Sequence, residues 1–333
     1  MVPTRPLDVV LLVESETVHH RRFSDALEQR GHRVSLVAPG ADGSLLGNRR
    51  SGARPDVVLA GPLPRLAEVA LDAFSAPLVA VSWGSDLLRD VPGDSDLVGR
   101  TRAVLAAAVA VIVDCVSVEE AAVGLGADPG SVYRFPWGID LARHPFRELP
   151  GGPVRVISLR SLARSYEVGT LIRAVERVPG LQADIAGDGP QTAELQALAS
   201  ALGIADRVRF LGRMPEEEIP ELLASHHVHV STSPTDGSSI SLLQALATGR
   251  PSVVVDNPSN REWLEDGVTG WLVPRGDVGA LADRLSAIVA RPAQLASMAT
   301  RGRAVAEERA DWGANQQVLW RAVEDAAGSA TWS

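Results

Sequence analysis

Asp236 and Gln244 stand eight positions apart, about two turns of helix, so both side chains can face one side of the segment that joins them. Between them Gly237, Ser238, Ser239 and Ile240 open a helical pattern that runs from Ser239 to about Thr248. The first N–H groups of a helix have no partner inside it, and the helix dipole favours negative charge at that end. Free amides flanked by a carboxylate and a carboxamide make a candidate phosphate site. His19 and His20 form a second polar pair, just beyond the first apolar run of the chain. Contact with a substrate competes there with a plainer reading, two solvated histidines in a first helical turn.

The elements around these residues follow one plan. A β-prone run, 226–232, turns through Ser233 to Gly237, enters the helix, stops at Gly249 and resumes as a strand over 252–255. In a parallel α/β sheet such a unit aims its helix N-terminus into the crevice at the strands' carboxyl ends. The chain opens the same way: the apolar run 8–13, typical of a strand covered on both faces, a polar turn, a helix over 18–30 ended by Gly31, and a second strand over 32–39. Further strands are expected at 56–61, in the run that leads into the turn Ser82–Asp86, and at 109–115, completing a five-strand wound sheet. Residues 39–55 read as a polar loop in which Arg49, Arg50 and Arg54 are candidate anion contacts, with a solvated loop the stronger reading. ELPGGPV, 148–154, has the composition of a hinge. A second α/β series follows, ending in the amphipathic run 311–326.

At 333 residues the chain is long enough for two domains, and 45% apolar with 22% charged residues is globular composition. The net charge is -9 and both halves are acidic, which speaks against a surface for nucleic acid or anionic lipid. Every basic residue apart from histidine is arginine, so no mechanism can use a lysine. The single Cys115 sits in an apolar run, excludes a disulfide framework and reads as a buried residue. Neither adjacent histidine pair, His19/His20 or His226/His227, has chelating geometry, and no zinc, Walker or serine-elbow spacing occurs. No apolar run approaches membrane-spanning length and no leader pattern opens the sequence, so a cytoplasmic protein without an integral membrane segment is expected.

The stretch TDGSSISLLQALATGRPSVVV resembles the donor-sugar segment of family 4 retaining glycosyltransferases: an acidic residue, Gly, small residues, then Leu-Glu-Ala-Met-Ala-x-Gly-x-Pro-Val-Val. Asp236 and Gln244 occupy its two acidic positions, the second now an amide. Asn260, Glu262, Trp263, Asp266, Gly267, Gly270 and Leu272 resemble its continuation. The resemblance implies the GT-B fold: two Rossmann-like domains with parallel sheets facing across a deep cleft. The boundaries expected are 1–148 for the acceptor domain, rejoined by a terminal helix at about 312–330, and 149–311 for the nucleotide-sugar domain.

It also implies roles. Asp236 would bind hydroxyls of the donor sugar, Gln244 the ribose, and the amides of Gly237, Ser238, Ser239 and Ile240 the diphosphate, while the backbone at Arg213 and Met214 would meet the nucleotide base. The segment LRSLARSYEVG resembles Gly-Arg-Leu-x-x-x-Lys-Gly, but Ser161 stands at the Arg position and Tyr166 at the Lys position. Arg160 and Arg164 remain in that loop, and their forked donors suit phosphate oxygens. A histidine often found beside the reacting sugar is replaced by Gly61. The turn Ser82-Trp83-Gly84-Ser85-Asp86 resembles a variant found in some family members; at that strand end Trp83 can stack on a sugar face and Asp86 can accept a hydroxyl proton, against the reading of Asp86 as a cap. The activity implied is metal-independent, cofactor-free transfer of a sugar from a nucleotide diphosphate to an acceptor hydroxyl with retention, in natural-product or glycoconjugate synthesis. A silent GT-B binding subunit and a sugar-nucleotide epimerase are the rivals, the first suggested by the changes at Tyr166, Gln244 and Gly61. Oligomeric state is not legible.

Overall fold

The computed structural model describes residues 5–14, 18–40, 45–47 and 54–329. Arg49 and Arg50 lie outside the described residues. The chain forms two compact units, Met1–Pro136 with Gly313–Ser333, and Trp137–Trp312.

The first unit alternates strands and helices: β1 Asp8–Leu12, α1 Val18–Gln29, β2 Arg33–Pro39, β3 Leu45–Gly47, β4 Val57–Ala60, α2 Arg65–Ala73, β5 Leu78–Val81, α3 Ser95–Ala107, β6 Ala110–Val113, α4 Val116–Gly124 and β7 Val132–Arg134. All four residues of β4, β5 and β6 are buried, as continuous apolar runs require in a sheet covered on both faces. The sheet order is β3-β2-β1-β4-β5-β6-β7. It holds seven strands where five were expected. Strand β3 pairs antiparallel with β2, and β7 pairs parallel with β6. Three residues carry no readable period; the open edges of β2 and β6 supply the pairing that their own sequences do not announce. Cys115 is buried just after β6.

The second unit runs β8 Arg155–Leu159, α5 Val168–Arg177, β9 Gln182–Ala186, α6 Thr192–Ala201, β10 Val208–Gly212, α7 Ile219–Ala224, β11 Val228–Ser231, α8 Ile240–Ala247, β12 Ser252–Val255, α9 Pro258–Arg261, β13 Trp271–Val273, α10 Val278–Ala290 and α11 Gln294–Arg309. Its six strands are ordered β10-β9-β8-β11-β12-β13 and all pair in parallel. One apolar cluster joins Val156, Ile185, Val228 and Val230 to Leu171, Val175 and Leu285 on one face. On the other, Leu242, Leu243 and Leu246 of α8 pack with Val254 and Ala306. Residues 241–247 are all buried, so α8 is a core helix and not a surface one.

The final helix, α12 Trp312–Ser329, packs on the first unit. Trp320 Nε1 donates to Ala26 O at 2.8 Å, Tyr133 Oη donates to Asp325 at 2.8 Å, and Arg30 pairs with Glu324 at 2.8 Å. Residues 137–148 belong by their contacts to the second unit, twelve positions earlier than composition suggests. Ile139 N donates to Ala310 O at 2.7 Å and Arg147 N to Thr248 O at 3.2 Å. The fully buried Arg250 donates to the carbonyls of Ala224, His226, Arg147, Glu148 and Thr248, and burial draws its guanidinium down to about 10. Five carbonyl acceptors replace the carboxylate a buried arginine usually needs. No helix among the described residues is long and apolar enough to cross a membrane.

Candidate functional site

In the second sheet the chain adds strands outward from β8 in one direction through β9 and β10, then from β11 in the other through β12 and β13. The two central neighbours, β8 and β11, therefore send their carboxyl-end loops to opposite sides and leave a crevice between them, the usual place for a ligand in such sheets. Arg160 follows β8 directly, and the Ser231–Ser239 loop follows β11.

These loops meet through Arg160. Its Nε donates to Ser231 Oγ at 3.0 Å and its Nη1 to Asp236 Oδ1 at 3.3 Å. Its Nη2 donates to Ser239 Oγ at 2.5 Å and to Asp236 Oδ2. The guanidinium carbon stands 5.4 Å from the centroid of the Tyr166 ring. The Arg160 and Asp236 side chains are 11% and 17% exposed, so the pair is largely out of bulk water but open at one edge. The backbone beneath is fixed by the Gly187-Asp188-Gly189 turn: Arg160 N donates to Ala186 O at 3.2 Å and Leu162 N to Asp188 O at 3.0 Å. A Cβ on Gly187 would overlap Arg160 O, and one on Gly189 would lie 2.6 Å from Leu162 O, so only glycine permits this approach.

Helix α8 begins at this crevice. Its N-cap, Ser239, makes no side-chain cap bond, and its hydroxyl oxygen accepts from Arg160 Nη2 instead. Among the described residues no protein acceptor meets the N–H of Gly237, Ser239 or Ile240, although Gly237 and Ser239 are buried. Buried amides normally have partners, so those of Gly237 and Ser239 without one point to a ligand. The buried Gln244 lies on the same helix, and its side-chain amide makes no hydrogen bond to the described residues. Arg213 and Met214 follow β10 at the same end of the sheet, the first exposed and the second half-buried.

Arg164 is not brought to this cluster. It forms an ion pair with Glu194 at 3.1 Å and its side chain is 82% exposed. It stands five residues past the strand end, at the start of a 3-10 turn over 164–166 that carries it outward, whereas Arg160 leaves β8 immediately. Sequence reasoning missed three parts: the hydroxyls of Ser231 and Ser239 as acceptors for Arg160, and the ring of Tyr166 beside it. Thr232 Oγ1 also donates to Tyr166 O at 2.9 Å, which ties the two loops again. The next residue, Glu167, holds φ +50, a left-handed backbone unusual outside glycine, and pairs with Arg275 at 2.6 Å. The serines are legible as polar residues at a strand end, but nothing in their spacing names their partner.

The first unit has its own switch point, between β1 and β4. His19 and His20 open α1 after β1, and Trp83 follows β5. They are not a solvated pair. Each imidazole stands 5.4 Å from the Trp83 ring, His20 edge-on, with Phe23 at 5.6 Å from Trp83 and Phe135 behind it. Burial, reinforced by Arg22 and His20, lowers His19 to about 4, so it is neutral at neutral pH. Asp86 departs from the reading that gave it an acceptor proton. Its Oδ1 accepts from Ser82 Oγ at 2.6 Å and Leu87 N at 2.9 Å, and its Oδ2 from Leu63 N at 2.8 Å and Trp83 N at 3.3 Å. The carboxylate is buried and its lone pairs are spent on the turn Ser82–Leu87 and on Leu63 N from the loop after β4, a structural tie between two loops. At Gly61 a Cβ would overlap Val81 O, so no histidine fits there without moving β5.

His226 Nε2 meets Asp184 Oδ2 at 2.9 Å, and His227 Nδ1 accepts from Arg155 N at 3.2 Å, both inside the fold. Among the described residues no group of three His, Cys, Asp or Glu side chains is arranged to hold a metal ion.

The model of the family described as glycosyl transferases group 1 matches residues 142–305. The GDP-mannose-dependent alpha-(1-6)-phosphatidylinositol monomannoside mannosyltransferase of Mycolicibacterium smegmatis is 31% identical over 284 residues, 78% of this chain and 72% of that one. The lipopolysaccharide core biosynthesis glycosyltransferase LpsE of Rhizobium meliloti is 30% identical over 155 residues, 46% of this chain and 45% of that one. With several other relatives, too, the match spans less than half of the relative's length. Among solved structures, HepE of Anabaena in complex with UDP and glucose has a TM-score of 0.78 at 18% identity, covering 96% of this chain and 100% of that one. Sucrose-phosphate synthase from Thermosynechococcus elongatus has a TM-score of 0.82 at 18% identity, covering 98% and 100%. The structural likeness establishes the GT-B class of fold, two α/β units built on parallel sheets.

Proposed function

Since the chain belongs to the group 1 glycosyl transferases, we propose that it moves a sugar from a nucleotide-diphosphate sugar to an acceptor hydroxyl, with retention of anomeric configuration and without a metal ion. The observation that carries this reading is the pair of buried residues ahead of α8, Gly237 and Ser239, whose backbone N–H groups, like that of Ile240, find no protein acceptor among the described residues. When the donor's glycosidic C–O bond breaks, its electron pair goes to the diphosphate oxygen. Stabilising that charge is the largest demand of the reaction, and fixed N–H groups at a helix N-terminus meet it without reorganising. The amides of Gly237, Ser238, Ser239 and Ile240 hold the diphosphate, and Arg160, paired with Asp236, stands beside them. The acceptor oxygen bonds to the anomeric carbon, and its proton passes to the departing phosphate, so the side chain missing at Gly61 is not required.

Asp236 receives hydroxyls of the donor sugar, Gln244 the ribose, and the backbone at Arg213 and Met214 borders the base. A carboxamide at 244 lacks the charge-assisted bond of a carboxylate, a difference of about 1 kcal/mol. On the acceptor side the neutral His19, His20 and the half-buried Trp83 offer a ring-stacking surface, fitting a glycoconjugate or natural-product acceptor handled in the cytoplasm.

The test is release of nucleoside diphosphate from UDP-, GDP-, ADP- and dTDP-sugars by the full chain in EDTA, with the freed sugar followed by proton NMR. One donor class is expected to be consumed, its sugar appearing first as the donor's own anomer. Neither turnover nor micromolar binding with any donor would remove the transferase reading. Inversion, or a requirement for added metal, would remove only that clause.

A further inference from the structure

Arginine carries five N–H donors in a rigid fork. In Arg160 four have protein acceptors: one from Nε to Ser231, one from Nη1 to Asp236, and both from Nη2, to Asp236 and Ser239. The fork that would clamp a phosphate is taken by the Asp236 carboxylate. One face of the guanidinium lies against the Tyr166 ring, its carbon 5.4 Å from the centroid. Arg160 leaves β8 and Asp236 lies beyond β11, so the pair bridges the switch point itself. A bidentate pair with three further contacts fixes the carboxylate's plane and direction. For an isolated aspartate on a loop, both would be free to vary.

We propose that Arg160 is a positioning residue: it orients the Asp236 carboxylate toward the donor sugar, and its own hydrogen bonds do not go to the diphosphate, which the amides ahead of α8 hold. Ser231, Ser239 and Tyr166 complete the frame. The inference rests on the reading of Asp236 as the contact for the sugar. Loss of Arg160 then affects recognition of the sugar and spares the nucleoside diphosphate. A diphosphate ligand at the same place would show the reverse.

Calorimetry on the full chain separates the two, using whichever matched pair the wild type binds among UDP with UDP-glucose, GDP with GDP-mannose, ADP with ADP-glucose and dTDP with dTDP-glucose. In Arg160→Gln the affinity for the diphosphate is expected to stay within about threefold, while the advantage of the nucleotide sugar over it disappears. Asp236→Asn should lose the same advantage, and the double variant should be no worse than either single one. Arg160→Lys keeps the charge without the fork and should not restore the preference. In turnover, kcat should fall more than KM rises for both single variants. A fall of about tenfold or more in diphosphate affinity with Arg160→Gln, or additive losses in the double variant, would overturn the proposal. If Arg160→Gln does not fold, Ser239→Ala, which removes one strut, should show the same selective loss in weaker form, and an unchanged preference there overturns it. A wild-type chain that binds none of the pairs overturns the donor-site reading beneath it.

Discussion

At the scale of single residues, chemistry and position part company at Arg164 and Asp86. Both have side chains suited to a reaction. Backbone direction carries Arg164 to Glu194, and four donors, three from its own turn and Leu63 N from the loop after β4, occupy the carboxylate of Asp86. Sequence gives residue type and approximate address, which sufficed to place Asp236 and the loop ahead of Ser239 between β11 and α8, but the last few ångströms depend on which way each loop leaves its strand. Asp86→Asn turns one acceptor oxygen into an NH2 group facing N–H or O–H donors. A loss on the order of 3 kcal/mol in urea unfolding is expected, with diphosphate binding unchanged; full stability with loss of acceptor-dependent turnover would restore Asp86 to the acceptor site. The histidines make a prediction of their own. Burial first, with Arg22 and His20 adding, lowers His19 to about 4; burial, with Arg160 adding, lowers His229 to about 3; His32 and His227 are lowered as well. Between the ordinary value of 6.5 and these folded values the unfolded chain holds protons that the folded one does not, so stability rises with pH through that window and falls on acidification. Despite burial, Asp184 is held well below the usual carboxylate range by His226 and Arg209, so its own contribution fails only at lower pH. The melting temperature should drop from pH 7 towards pH 5, and less steeply in His19→Asn; equal slopes would place the acid sensitivity elsewhere.

At the scale of elements, long apolar strands and the strand-turn-helix units were legible because burial on both faces leaves continuous runs. The three-residue β3 and β7 were not, since their neighbours' unpaired edges and not their own residues create them. Nor was the true extent of the linker legible: Pro and Gly at 150–153 signal a hinge, while Arg250, reaching from another segment, ties Arg147 and Glu148 to the second unit. The Gly187-Asp188-Gly189 turn makes a sharp test of element packing. Gly187→Ala puts a methyl into Arg160 O, so it should destabilise the second unit and reduce the preference for the nucleotide sugar over the diphosphate together; a stable Gly187→Ala with that preference intact would show that the turn does not hold the Arg160 loop. Glu167→Gly should act oppositely. It relieves a left-handed backbone worth about 1–2 kcal/mol and loses only an ion pair to an Arg275 side chain that is 65% exposed. A urea midpoint at or slightly above wild type is expected, and a clear drop would mean that the Arg275 pair matters more than its exposure suggests.

At the scale of the whole molecule, two switch-point sheets each carry a distinct set of groups: backbone amides that meet no protein acceptor among the described residues and a framed carboxylate on one, an aromatic and histidine surface on the other. The acidic, lysine-free composition told against nucleic acid but said nothing of this division, which arises only when loops from separate strands meet. The central claim is that the backbone ahead of α8 holds a diphosphate. Ile240 is the first residue of that helix, where proline is tolerated, and Ser239 before it has φ −65 and ψ 109, a conformation proline accepts in its predecessor. Ile240→Pro therefore deletes one donor without breaking the helix. Calorimetry of UDP and GDP against wild type and Ile240→Pro in EDTA is the direct measurement. An unliganded melting temperature close to wild type with affinity reduced about tenfold or more is the expected result. Equal affinity in the two proteins would contradict it.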